Sequence, residues 1–409
     1  MSVLKIALLG FGTVGKGVYK SIQSHGERLE KVLGKKVEIV AILVRNKQKQ
    51  RRISGNILVT DNFEEIINLP QIDYMIEAIV GKEPAFTYLK RAVEKGSNII
   101  TANKEMFAYH GEELSLLAAD KGVSLGYEAT VGGGIPIIQT LRQLLKVNNI
   151  KQIKGILNGT SNFILTEMRE KREPFASVLK TAQEKGYAEA DPGNDVEGTD
   201  AFYKLMVLSK LAFGIQPEWK DVHVEGITSI TREWIEEADR LHLKFKHIAS
   251  IEWKDGKVIA SVQPVLVGKS SPFYDVEGVE NAVNIEADLV GSLTLRGPGA
   301  GMFPTASAVI EDLAQSRHQT DREAGIPIRD SSAQDNQKEA NYWLLDGVKK
   351  KVVDPSIEWL KQHPNNKWII KSSVKGLNRI LDQNPGTEAF PVLAGIVEKE
   401  SSDLFTASL

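Results

Sequence analysis

No cysteine occurs anywhere in the 409 residues. That absence excludes disulfides, thiolate metal sites, iron–sulfur clusters and cysteine nucleophiles, and it fits a reducing compartment. Long apolar runs are missing too: none approaches the roughly 20 residues that cross a bilayer. The charges nearly cancel, leaving a formal net charge of −2, so no global attraction to nucleic acid or an anionic membrane is expected. Histidine is scarce, with seven in the chain. Met1-Ser2-Val3-Leu4-Lys5 runs straight into a strand pattern, so no signal peptide is expected and a cytoplasmic location is. What remains, 42% hydrophobic and 25% charged residues, is a globular composition in a chain long enough for about two to three domains.

Residues 1–130 alternate short apolar runs with helical patterns. Residues 4–9, 37–44, 73–79 and 98–101 read as strands, with one helix running to about residue 33 and another over 83–95. Continuous apolar strands alternating with helices imply a parallel sheet covered on both faces. The texture changes near Gly132-Gly133-Gly134. Residues 135–145 predict a helix, with Pro136 tolerated in its first turn. A strand at 150–157, helices at about 163–170, 175–185 and 200–213, a β-rich stretch at about 251–295 and a helix at 304–316 follow. The polar segment 319–339 is expected to be a linker. The tail, 340–409, has the texture strand, helix, strand, helix, strand, with residues 355–362 as its first helix. The expected fold is therefore α/β: a Rossmann dinucleotide-binding domain over 1–135, an α+β domain over 136–303, a helix at 304–318, the linker, and a small α+β tail.

Gly10-Phe11-Gly12-Thr13-Val14-Gly15 stands between a strand and a helix, as the G-x-G-x-x-G dinucleotide fingerprint requires. The first glycine permits the tight turn, the second lets backbone N–H groups approach a pyrophosphate, and the third lets helix and strand pack closely. The helix N-terminus then favours the phosphate charge. A purely structural glycine turn is the alternative. NAD binding usually places an acid at the end of the second strand. Here that strand ends Leu43-Val44-Arg45-Asn46-Lys47, and Glu30 and Glu38 lie too early. Arg45 is suited to a 2′-phosphate, with Lys47 or Lys49 nearby, so NADP is favoured over NAD. An ordinary solvated turn is the alternative.

Two further stretches carry chemistry. Thr101-Ala102-Asn103-Lys104 follows a strand, and ligands of such sheets lie beyond the carboxyl ends of strands, which puts Lys104 toward the nicotinamide end. The carboxylate-rich loop 186–200 runs into the helix holding Lys204, and Asp200 and Lys204, at i and i+4, share a face. A surface lysine and a surface ion pair are the competing explanations. Calcium is disfavoured, because the loop lacks the D-x-[DN]-x-[DN]-G spacing.

Together these motifs resemble the homoserine dehydrogenase family. The resemblance runs in order from residue 3 to about 318: GFGTVG, ITANK (100–104), YEATVGGGIPII (127–138), GILNGTSNFIL (155–165), GYAEADPGNDVEGTDAFYKL (186–205) and GPGAGMFPTASAVIEDL (297–313). It implies reversible NAD(P)H-dependent reduction of L-aspartate 4-semialdehyde to L-homoserine, a step toward threonine and methionine. Aldehyde reduction needs a proton donor, and no histidine lies inside these motifs, so a tuned lysine suits the task. By resemblance Lys204 is that donor, and Lys104 binds the substrate carboxylate or assists proton transfer. Glu189 matches the acid for the substrate ammonium, and Asp195 and Asp200 match the surrounding carboxylates. Asn194 stands where some relatives carry a second acid. Gly186 and Gly301 match backbone positions lining the nicotinamide end. Residues 128–135 resemble the family's monovalent-cation loop, implying sodium held by the Glu128 carboxylate and the carbonyls of Val131, Gly133 and Ile135; a glycine-rich hinge without an ion is the alternative. Residues 136–303 would then also dimerise the chain.

Two departures stand out. Ile79-Val80-Gly81 replaces the more usual glycine-rich turn after the third strand. The tail lacks the Asp-x-Pro-Gly signature of an ACT regulatory domain, so it is either a divergent ACT-like module or a structural appendage, and threonine inhibition is not carried over. A chain ending near Asp330 is expected to fold and remain active. Aspartate-semialdehyde dehydrogenase is excluded in its usual form by the missing cysteine. A different semialdehyde reductase, or a catalytically silent homologue that senses a cofactor or metabolite, are the rival functions.

Overall fold

The computed structural model describes residues 3–53, 55–316, 341–363 and 367–393. The expected linker at 319–339 and the last residues of the tail lie outside the described residues. Six strands, β1 (Val3–Leu9), β2 (Lys36–Leu43), β3 (Leu58–Thr60), β4 (Tyr74–Glu77), β5 (Asn98–Thr101) and β6 (Leu125–Gly126), form an all-parallel sheet in the order β3-β2-β1-β4-β5-β6. This is the doubly wound order of dinucleotide-binding folds, whose ligand crevice lies where strand order reverses, here between β1 and β4.

Alternation along the strands explains the covering of both faces. Ile6 and Leu8 of β1 pack with helix α1 (Thr13–Leu33), while Ala7 and Leu9 point to the opposite side, toward α2 (Phe63–Ile67), α3 (Ala85–Glu94) and α4 (Lys104–Lys121). After α5 (Ile137–Leu144), strand β7 (Ile150–Ile156) opens a second sheet. Helices α6 (Gly159–Lys171), α7 (Phe175–Glu184), α8 (Gly193–Val196) and α9 (Thr199–Phe213) follow, then the short strand β8 (His223–Val224) and α10 (Arg232–Arg240). Strands β9 (Lys244–Lys254), β10 (Lys257–Val267), β11 (Glu280–Ala287) and β12 (Gly291–Pro298) complete the central part. Helix α11 (Met302–Gln315) returns to the first sheet, where Ala306, Val309 and Leu313 join the core under α1. Helix α9 is buried along most of its length, because it lies between α4 and the second sheet. Among the described residues no helix is long and apolar enough to cross a membrane.

The tail differs from its sequence pattern. It comprises β13 (Asn341–Asp346), β14 (Ile357–His363), β15 (Lys367–Ser372), α12 (Val374–Gln383) and β16 (Glu388–Leu393). Residues 355–362, expected as a helix, belong instead mainly to β14, antiparallel to β15. Burial there has period two: Ile357 is buried, Trp359 half-buried, Glu358 and Leu360 exposed. An edge-to-face contact between Trp359 and Trp368, with centroids 5.4 Å apart, locks the register. Nor does the tail form a sheet of its own. Strand β16 pairs in parallel with β10 at Leu266 and Val267, so the second sheet continues from β12 through the tail to β14. Phe390 packs edge-on against Trp234 and Phe245, at 4.8 and 5.1 Å between centroids, and the Trp234 indole donates to Glu388 at 2.6 Å.

This continuity argues against a clean cut near Asp330, since such a cut would uncover the β10 edge and the apolar faces of Trp234 and Phe245. Phe390→Ala alone should lower stability by about 3–5 kcal/mol, the usual range for emptying a buried aromatic site. Urea unfolding of the full chain followed by tryptophan fluorescence measures it; a loss under about 1 kcal/mol would mean the tail is only loosely attached.

Candidate active site

At the crevice between β1 and β4 the fingerprint glycines have separate jobs. Gly10 takes φ +102°, and a Cβ there would lie 2.5 Å from the Ala78 carbonyl oxygen, just past the end of β4. Gly15 faces the Gly10 carbonyl with no room for a side chain, whereas Gly12 has open space around it. The first and third glycines close the turn, and the second leaves backbone accessible to a pyrophosphate at the start of α1. Phe11, Thr13 and Val14 complete the turn, Phe11 sitting edge-on to Tyr19. Arg45 is exposed just past the end of β2, while Lys47 pairs with Asp61 at 3.4 Å. Glu38 pairs with Lys36 at the opposite end of the strand.

Lys104 is the first residue of α4. A cation is disfavoured at that end of a helix, where the dipole is positive. Asp200 compensates it: Oδ1 lies 2.9 Å from Lys104 Nζ and Oδ2 2.7 Å from Lys204 Nζ. Lys204 also donates to the Leu157 carbonyl at 2.6 Å. The Asp200–Lys204 pair is therefore no surface pair; both side chains are buried, and Lys104 is partly exposed. Asn158, which caps α6 by accepting from Ser161 N–H, donates through Nδ2 to both Asp195 and Asp200 at 2.8 Å. Ser161 Oγ donates to the Asp195 carbonyl at 2.6 Å. The cap explains why α6 starts at Gly159, earlier than the sequence pattern suggests.

Charges follow this geometry. Burial alone would raise the Asp200 carboxyl, but Lys104 and Lys204, helped by the α9 N-terminus, hold it far below the usual carboxylate range. Burial pulls the Lys204 ammonium below its ordinary value, partly offset by Asp200 and reinforced by Lys104. Asp200 pushes Lys104 upward against its own desolvation, with Asp195 and Glu189 adding to the same field. Asp195 is raised, chiefly by burial. Gly186 and Glu189 are exposed on the loop beside this cluster, and Asn194 is exposed on α8. Gly301 is exposed at the start of α11, with φ +122°.

Glu128 is buried away from the lysines. Its carboxylate accepts from Ile138 N–H at 2.8 Å and Gln139 N–H at 2.9 Å, capping α5, and its own N–H donates to Asp312 Oδ2 at 2.8 Å. Burial pushes both the Glu128 and the Asp312 carboxyl up to about 7. Asn158, Asp312 and the Leu157 carbonyl escaped the sequence analysis. Asn158 alone left a trace, an N-cap residue directly before Gly-Thr-Ser.

Two family profiles match: residues 10–128 fit "Homoserine dehydrogenase, NAD binding domain" and residues 136–314 fit "Homoserine dehydrogenase". Homoserine dehydrogenase of Bacillus subtilis (strain 168) is 40% identical over 315 residues, 76% of this chain and 72% of the relative. The chain belongs to the homoserine dehydrogenase family. A crystal structure of the Thiobacillus denitrificans homoserine dehydrogenase superposes with TM-score 0.85 at 32% identity, over 96% of this chain and 99% of that one. That likeness reaches further along the chain than the sequence match. A hyperthermophilic archaeal homoserine dehydrogenase in complex with NADPH gives TM-score 0.68 at 26% identity, over 79% of this chain and all of that one. The protein is thus an NAD(P)-dependent oxidoreductase that interconverts L-aspartate 4-semialdehyde and L-homoserine.

Asn158→Ala should cost about 1–3 kcal/mol, because it removes the α6 cap and leaves the buried Asp200 and the half-buried Asp195 short of a donor. Chemical denaturation checks it; a change under about 0.5 kcal/mol would show that neither contact matters to stability.

Proposed function

We propose that Lys204 passes the proton to the aldehyde oxygen in reduction and takes it back in oxidation. The bound nicotinamide supplies the hydride to the aldehyde carbon, or accepts it from the alcohol. The observation that carries this reading is the Lys104–Asp200–Lys204 arrangement beside the crevice, in which one buried carboxylate holds two ammonium groups at 2.9 and 2.7 Å. Lys204 is the better donor of the two, since burial lowers its affinity for the proton while that of Lys104 is raised. Lys104, partly exposed, is suited to the substrate carboxylate. Glu189 and Asp195 offer negative charge for the substrate ammonium, and Gly186 and Gly301 offer backbone close to the ring.

NADP is the cofactor this chain favours, because Arg45 stands where an acid would otherwise hold a free ribose hydroxyl. Glu128 and the carbonyls of Val131, Gly133 and Ile135 are the groups that would hold a sodium ion. Two buried carboxyls, Glu128 and Asp312, share that region, and a hard cation with oxygen ligands would balance their charge. A homodimer or higher homo-oligomer is the proposed assembly. Strand β12 ends the second sheet with Leu293 and Leu295 half-buried, and such an edge calls for a cover, most simply a second copy about a two-fold axis.

Lys204→Ala should cut turnover of L-homoserine by about 10²–10⁴ while NADPH still binds in a fluorescence titration. Oxidation needs the neutral amine, so the wild-type rate should rise with pH through the Lys204 pKa, below that of an ordinary lysine; reduction should fall through the same pH range. A variant keeping most of its activity sinks the assignment, and a wild type silent with L-homoserine and both cofactors would revive the sensor. Arg45→Asp should weaken NADP through repulsion of the 2′-phosphate and favour NAD relatively; an unchanged kcat/KM ratio for the two cofactors would clear Arg45 of that role.

A further inference from the structure

Strand β4 ends on a residue that none of these roles uses. Glu77 is fully buried at the carboxyl end of β4, in register with Leu9 on one side and Thr101 on the other. It therefore sits between the pyrophosphate turn and the start of α4. Its carboxylate accepts from the Thr101 hydroxyl at 2.6 Å and from Ile79 N–H at 2.5 Å. Thr101 Oγ1 accepts from Asn103 N–H at 3.0 Å, Asn103 Nδ2 donates to the Gly81 carbonyl at 2.8 Å, and Asn103 Oδ1 caps α4 through Met106 N–H. The contacts close a ring from Glu77 through turn 79–81 to Asn103, Thr101 and back. Lys104 is the next residue, and Val80 projects from the turn, 91% exposed, beside the fingerprint.

Burying a carboxylate with no cation is costly, and a leucine of similar size would suit a β4 otherwise made of Tyr74, Met75 and Ile76. Among the described residues, every group touching Glu77 is uncharged. Burial accordingly pushes its carboxyl up to about 7. Stability therefore gives no reason for this acid, whereas the ring it closes ends on the residues facing the cofactor and substrate. We propose that Glu77 is a positioning residue for the dehydrogenase reaction, fixing turn 79–81 and the first turn of α4 relative to each other so that the nicotinamide end of the crevice and Lys104 meet the substrate in one geometry. The proposal rests on the function assigned above.

Full-length Glu77→Gln tests it. Glutamine keeps the size and the acceptor for Ile79, but it turns an N–H₂ toward Thr101, so the Thr101 hydroxyl loses its acceptor and the contact can persist only with its polarity reversed, which shifts the ring. Misplacement of the reacting groups affects orientation more than binding. The kcat for L-homoserine oxidation should drop about ten-fold or more, while the NADPH dissociation constant stays within about three-fold. The melting temperature at pH 8 should not fall, because a buried charge has been removed. Thr101→Val should reproduce the kcat loss, and Thr101→Ser, which retains the hydroxyl, should restore it. Thr101→Val and Thr101→Ser carry the test if Glu77→Gln fails to fold. Unchanged kcat in Glu77→Gln, loss of cofactor binding in parallel with kcat, or equal loss in Thr101→Ser and Thr101→Val would each overturn the proposal. A wild-type chain silent with L-homoserine would instead overturn the function on which it rests.

Discussion

One carboxylate between two lysines organises this molecule. Asp200 meets Lys104 from the cofactor-binding layer and Lys204 from its own helix. It compensates both lysines: Lys104 stands, partly exposed, at the positive end of α4, and Lys204 is buried inside α9, between that layer and the second sheet, where an unpaired ammonium would be costly. The same contact thus joins two layers and assembles the groups that the chemistry needs. Asn158 extends it, donating to Asp200 and Asp195 from the cap of a third helix. Removing Asp200 would leave two like charges facing each other, so the triangle stands or falls as a unit.

What could be seen in the sequence was whatever local spacing encodes. The glycine fingerprint is such a case, because each glycine answers to a backbone constraint within a few residues. The i,i+4 relation of Asp200 and Lys204 is another. Their burial was not visible, because it depends on α9 being covered by α4 on one side and by β9 and β10 on the other, elements far away in the chain. Asn158 is close to Asp200 only in space, 42 residues apart. Residues 355–362 failed for the opposite reason. Their few apolar positions fit both periods, and only pairing with β15 decides for a strand.

The tail shows the same principle at larger scale. Its strands read as a separate small unit because nothing local marks Phe390 and Val392 as partners of Trp234, Phe245 and Leu266. Yet these residues share one apolar cluster with α6 and α7, and β16 continues the sheet from β10. The helices under that sheet include α6, whose cap is Asn158. The tail thus shares a core with a helix that orients the acid cluster.

Buried acids elsewhere set a limit on how the protein can be stabilised. Glu77 has a folded-state pKa raised to about 7, above the 4.5 of an unstrained glutamate. A group raised in this way binds its proton more tightly folded than unfolded, so the stability it contributes is complete below about 4.5 and drains away as pH rises through about 7. Glu128 and Asp312 carry the same sign, but a cation in the adjoining loop would relieve them and reverse the trend. Among the described residues the groups touching Glu77 are all neutral, so it has no such relief. At the alkaline pH that favours the neutral amine for oxidation, the fold therefore retains an ionised, uncompensated carboxylate beside its cofactor crevice. Such a cost makes sense only where the geometry it enforces is worth more to the reaction than to the fold.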